Sequence, residues 1–163
     1  MPSIAKKDED GFYKSPDLET TVQAKVTVPG DWISMVVHDP DIMSTDHIGQ
    51  WAMEIVRDHA NDRRLIWEAE SDPKIEEIMK KTGAHFIRSI PRKILDDLNA
   101  PAILAMELGK PLPEHYHVLD VELAKKAYAK MCEHVGIGWW EEADAISYDN
   151  AIQYALFDKL VYG

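Results

Sequence analysis

The apolar residues of this chain change their period part-way along, and that change constrains the fold more than any residue count does. From Val22 to Val28, valines and an alanine alternate with Gln23, Lys25 and Thr27. A period of two puts one face of a strand on a core. Pro29-Gly30 ends the run in a turn. Beyond Ser44 the repeat lengthens. Ile48, Trp51, Ala52, Ile55 and His59 fall on one helical stripe, while Glu54, Arg57, Asp58 and Asp62 point elsewhere. This pattern predicts a long amphipathic helix from Asp46 to Glu70, capped by Ser44 or Thr45. Asp72-Pro73 starts a second helix and Gly83 ends it.

Downstream, Pro91 and Pro101 each open a short helix, the second ending at Gly109, and Pro111 and Pro113 enforce an extended loop. Asp120 caps a helix with Val121, Ala124, Tyr128, Met131 and Val135 on its apolar side. Trp139-Trp140 begins a further helical stretch, and Ser147 or Asp149 starts a last helix through Leu160. The predicted fold class is therefore mainly α: an irregular bundle of about six to seven helices with an extended N-terminal arm and one short β-strand. Its two parts are an arm over residues 1–30 and a helical domain over residues 31–163. A single short strand is not stable alone. It needs a partner from the Trp32 to Val37 run or from another chain.

Lys and Arg number 18 against 29 Asp and Glu, a net charge of −11. That field repels phosphate backbones and anionic lipid heads, so neither nucleic acid nor a membrane surface is an expected partner. Cys132 is the only cysteine, which rules out an intrachain disulfide and a thiolate zinc cage. No apolar run approaches the roughly 20 residues that span a bilayer. These features fit a reducing, cytoplasmic setting.

Three constellations could carry chemistry. Gly109, His115, His117 and Glu122 have a spacing that resembles the first half of a cupin metal motif, which implies a divalent metal held by two nitrogens and a carboxylate. The motif's closing glycine falls at Ala129, and the residues from Glu122 to Met131 read as helix where a cupin needs strands. The cupin fold is rejected on that ground, while a metal site on His115, His117 and Glu122 stays as an alternative. A di-iron carboxylate centre needs two Glu-x-x-His motifs on helices. Only Glu114 to His117 has that spacing, and prolines place it in a loop. His59 lies on the apolar stripe beside Asp58 and Asp62, as a packed residue or a general base.

Nothing in the sequence forms a nucleophile elbow or a phosphate-cradling loop. No cofactor is expected apart from that alternative metal. Adjacent helical residues point about 100° apart, so Trp139 and Trp140 cannot share one core, and one of them is a candidate partner-binding residue. Val22 and Val26, on the unpaired strand, are candidates for the same reason. The expected function is a non-catalytic small subunit, structural or regulatory, of a larger cytosolic enzyme complex. Its partner would be a larger catalytic subunit or further copies of itself. A small metal-dependent protein and a helical small-molecule-binding module with tryptophans around its pocket are the alternatives.

Overall fold

The computed structural model describes Lys6–Lys7, Phe12–Lys14 and residues 24–39 and 51–163. Val22, Ser44, Thr45, Asp46 and His47 lie outside the described residues. The mainly α expectation is overturned. The described residues hold five α-helices and two three-stranded antiparallel sheets. In the first sheet β1 (Lys6–Lys7), β2 (Phe12–Lys14) and β3 (Ala24–Lys25) pair in that order, with Lys6 opposite Lys14 and Phe12 opposite Lys25. The strand of the arm thus finds its partner within the arm. The Trp32 to Val37 run instead belongs to helix α1 (Gly30–His38).

The second sheet organises the rest. The predicted helix from Asp46 to Glu70 is replaced by β4 (Met53–Asp58), a short 3-10 turn, and β5 (Arg63–Trp67). The Asp58 side chain accepts from the Asn61 backbone N–H, and Asp62 takes the left-handed conformation at φ 51°. Asn and Asp tolerate that region better than most residues, so Asn61-Asp62 breaks any helix here and folds the chain back on itself. β6 (Tyr116–Asp120) then pairs with the far edge of β5, giving the order β4-β5-β6. The loop expected after Pro113 therefore leads into a strand.

Both faces of this sheet are covered. Leu65, Trp67, Tyr116 and Val118 face α2 (Pro73–Thr82) and α3 (Arg92–Glu107), with Ile75, Ala102 and Met106 closing that core. Ile66 and Leu119 point the other way, into a core built with α1, α4 (Val121–His134) and α5 (Ala145–Phe157). Arg64 through Trp67 are all buried. A strand buried on both faces loses the alternation that would mark it in the sequence.

The capping chemistry explains the helix ends. Asp72 caps α2, Pro73 fills its first position and Gly83 closes it at φ 74°. Asp120 caps α4 through the Leu123 N–H at 2.8 Å. α5 starts earlier than expected, at Ala145, because Asp144 and Ser147 form a reciprocal capping box. Pro101 does not divide the third helix: α3 runs through it on the face of exposed residues. Asp97, whose carbonyl loses its helical donor, is itself an exposed residue. Among the described residues, no helix is long and apolar enough to cross a membrane.

Candidate functional site

A line of polar side chains crosses the molecule where β5 ends. Glu68 is nearly buried, at 9% exposure, and its two carboxylate oxygens have different donors. His117 Nε2 lies 2.8 Å from Oε1, and the Tyr162 hydroxyl donates to Oε2. Ser71 Oγ also meets that hydroxyl. The Tyr162 ring lies flat on Trp51, with centroids 5.0 Å apart and planes at 6°. Trp51 in turn donates its indole N–H to Asp149 Oδ1 at 2.7 Å. Residues from the segments before β4 and after β5, from β6, from α5 and from the C-terminal segment thus meet in one network.

Gln153 fixes that segment in place. It is fully buried on α5, and its amide oxygen accepts from the backbone N–H groups of Val161 and Tyr162, each at 2.8 Å. Its amide nitrogen donates to the Tyr162 carbonyl at 3.1 Å and to Asp149 Oδ2 at 3.3 Å. One glutamine therefore holds both the tyrosine and the aspartate in register.

Above this network opens a cleft of about 690 Å³, lined by Trp51, Glu70, Phe86, Asp149 and Tyr162, with Ile75 and Met79 of α2 on its apolar wall. Among the described residues no lysine or arginine lines it, and His85 is its one basic side chain. Asp149 is the chemically distinctive group. Burial pushes its carboxyl above the ordinary aspartate value, and the hydrogen bonds from Trp51 and Gln153 only partly oppose that. Both of these donors are neutral. Among the described residues no cation is bonded to this carboxylate. Tyr162 is pushed up to about 12, mainly by burial and then by its bond to Glu68, so the phenol stays protonated and acts as a donor at neutral pH.

Compared with known proteins, the chain matches no protein family, no curated protein and no solved structure. The geometry of the site therefore carries the reading alone.

The residues singled out by sequence are placed as follows. His117, on β6, is taken up by Glu68 and meets the ring of Phe157 edge-on, with centroids 5.6 Å apart. His115 stands in the loop before β6 at φ 74°, and Glu122 is exposed in the first turn of α4, 3.8 Å from Lys125. Among the described residues, no three His, Cys, Asp or Glu side chains come together to hold a metal. Val26 is buried in the core shared with α1, α4 and α5. Trp139 is buried and Trp140 half-buried. Both rings meet Trp32 at centroid distances of 5.4 and 5.6 Å. The 100° argument fails for them: adjacent positions of the 3-10 turn Trp139–Glu142 diverge as much as in a helix, yet the wide rings still meet each other, with centroids 5.8 Å apart, as well as the same Trp32 indole.

Sequence reasoning missed Trp51, Glu68, Asp149 and Tyr162 as a group. Trp51 and Asp149 are 98 residues apart, and Glu68 and Tyr162 are 94 apart, so no local spacing joins them. One signal was available: Asp149 and Gln153 are polar residues four apart and so share one face of α5 with the apolar residues that follow. Such a pair on a buried helical face has a partner to satisfy.

Proposed function

We propose that the protein is a binding module for a small organic cation, taken into the cleft beside Asp149. The observation that carries this reading is a half-buried carboxylate on the wall of a concave site, bonded among the described residues only to neutral donors. A buried charge is normally paired. A group perturbed by burial in a cleft is a physical marker of a binding site. The aromatic lining adds a second attraction for a cation through the ring faces. Glu70 on the cleft rim and the net charge of −11 steer cations towards it.

The test is a titration of the intact chain with choline and phenethylamine, each beside a neutral analogue of the same shape, followed by the indole N–H resonance of Trp51. That proton lies on Asp149, so it moves when the carboxylate gains a partner. The amines are expected to shift it and the neutral analogues to leave it. Asp149→Asn should weaken amine binding by about tenfold or more, the loss of a charge-assisted contact. Binding should also weaken as pH falls through the raised Asp149 value, because protonation removes the charge that the ligand meets. The sign for the free protein is opposite. A raised carboxyl value means that the folded state binds its proton more tightly, so Asp149 lowers stability as pH rises above the ordinary aspartate range. Equal binding of amines and neutral analogues would remove the reading.

A second reading, an accessory subunit of a larger complex, is favoured by a different observation. Val135, Ile137 and Ile146 are 64%, 55% and 69% exposed, and they flank the connection from α4 to α5. Exposed apolar side chains grouped at one end of a hairpin suit a protein partner. Light scattering on the full chain, and on an Ile146→Asp variant, tests for self-association. A parent that associates and a variant that stays monomeric and folded would support it, and a monomeric parent leaves only a different partner to be identified by co-purification from the source. The single buried thiol, Cys132, supports a reducing, cytoplasmic setting for either reading.

A further inference from the structure

We propose that His38 and His59 form a binding site for a divalent cation of the zinc class, separate from the cleft. His38 is the last residue of α1, and His59 opens the turn between β4 and β5. Their Nδ1 atoms face each other at 3.0 Å. On the far side of the His38 ring, Nε2 lies 2.9 Å from Asp62 Oδ1.

In a neutral His38 the chemistry of these three groups fixes the tautomer. A carboxylate can only accept, so Asp62 takes the proton of His38 Nε2. The lone pair of His38 is then on Nδ1, directed at His59. A carboxylate behind a histidine, holding the opposite ring nitrogen free, is the arrangement that orients imidazoles on metals. Zinc–nitrogen bonds run about 2.0–2.1 Å, so two nitrogens on one tetrahedral zinc stand about 3.3 Å apart. To admit the cation the pair must open by about 0.3 Å and the two rings, nearly parallel at 19°, must swing so that both Nδ1 lone pairs aim at one point, a movement open to an exposed ring such as His59.

Two imidazole nitrogens suit zinc, copper or nickel better than magnesium or calcium, which prefer oxygen. Among the described residues two protein nitrogens face the site, and no group of three metal-ligating side chains forms. The remaining coordination positions go to water or to a small ligand. The site is therefore open, and weaker than a closed structural site with four protein ligands. None of its residues lines the cleft, so its fate is independent of the proposed amine binding.

The experiment is calorimetric titration of the intact chain with zinc chloride, repeated for His38→Ala, His59→Ala and Asp62→Asn. His115→Ala and His134→Ala serve as controls for other histidines. Cobalt substitution gives a second readout, since tetrahedral cobalt absorbs visible light. One equivalent of zinc is expected, with visible bands in the cobalt form. His59→Ala and His38→Ala should each weaken binding at least about tenfold, and Asp62→Asn by about 10- to 100-fold, the usual range when the carboxylate behind a ligating histidine is lost. The control variants should bind as the parent does. His59 is exposed, so its variant tests the idea without disturbing the core. Zinc binding that survives both histidine substitutions, or no binding at all, would overturn the proposal and leave a pair of imidazoles sharing one proton.

Discussion

Glu54→Ala is expected to lower the unfolding free energy by about 3–5 kcal/mol, the usual result of stranding a buried charge. The charge is that of Arg64, which sits on the central strand β5 with no exposed surface. Its Nη2 donates to the Asp39 carbonyl at 2.9 Å, just beyond the end of α1. Its Nε lies 3.3 Å from Glu54 Oε2, close enough for attraction but not aligned for a hydrogen bond. Among the described residues, Arg64 Nε, Arg64 Nη1 and Glu54 Oε2 have no hydrogen-bond partner. Burial pushes the guanidinium below its ordinary value, and Glu54 is the largest influence holding it up. Removing that carboxylate leaves the arginine, among the described residues, with the Asp39 carbonyl as its hydrogen-bond partner and only the weaker attraction of the Asp39 charge. Glu54 also pairs with Arg57 at 2.8 Å, but Arg57 is exposed and its loss adds little. Urea denaturation measures the change. A loss under about 1 kcal/mol would show that water already reaches the guanidinium.

The same physics makes a second, sharper comparison. Replacing both partners, with Glu54→Leu and Arg64→Met together, removes two desolvated charges and refills the space with apolar atoms. The double variant is expected to be closer to the parent than either single variant, because the desolvation cost disappears along with the attraction. If it proves as unstable as the sum of the two, the ion pair itself contributes net stability.

These residues also show why the fold was only partly legible. The ends of α2 and the start of α4 follow from local chemistry: an aspartate cap, a proline at the first turn, a glycine at the close. Such signals act within a few residues, so they are readable in a single sequence. β4 and β5 are different. Ile55 and His59 fit a helical stripe because any two residues four apart do, and the strand alternation is hidden where β5 is covered on both sides. What decides for strands is pairing with β6, which lies about fifty residues downstream, and no local window contains it. Pro101 misleads in the other direction. Its cost is local, but the packing of Asn99, Ala102 and Met106 carries the helix through it.

The candidate site was less legible than the fold. Its aromatic and acidic residues come from the segments before β4 and after β5, from α5 and from the C-terminal segment, and only tertiary contacts join them. His117 was noticed, with the wrong neighbours in mind. Residues two apart in a strand share a face, so the spacing to His115 suggested one joint site, but β6 begins only at Tyr116 and His115 falls outside it. His115 lies before the strand at positive φ, while His117 turns to Glu68, 49 residues away. His38 and His59 meet because α1 ends over the β4–β5 turn, which is a consequence of the sheet that the sequence concealed.

Trp32→Ala is expected to cost about 3–5 kcal/mol and to lower the thermal midpoint by roughly 8 to 16 °C in a chain of this size. Trp32 has no exposed surface and stands where α1, α4 and the Trp139–Glu142 turn meet. Its indole N–H donates to the Ala124 carbonyl at 2.7 Å. Trp139 and Trp140 meet it edge-on, and Tyr148 lies 6.0 Å away by ring centroids. Truncation therefore removes apolar area, a buried hydrogen bond and two edge-to-face contacts at once. Trp32→Phe separates these contributions. It keeps a ring in the space but lacks the donor, so the Ala124 carbonyl is left to the bonds of its own helix. Its expected loss is about 1–3 kcal/mol, the cost of a smaller ring and one missing hydrogen bond. If Trp32→Phe is as damaging as Trp32→Ala, the indole N–H rather than aromatic packing holds α1 on α4. If both are mild, the first helix is not part of the cooperative core, and its link to the β4–β5 turn through His38 cannot be rigid.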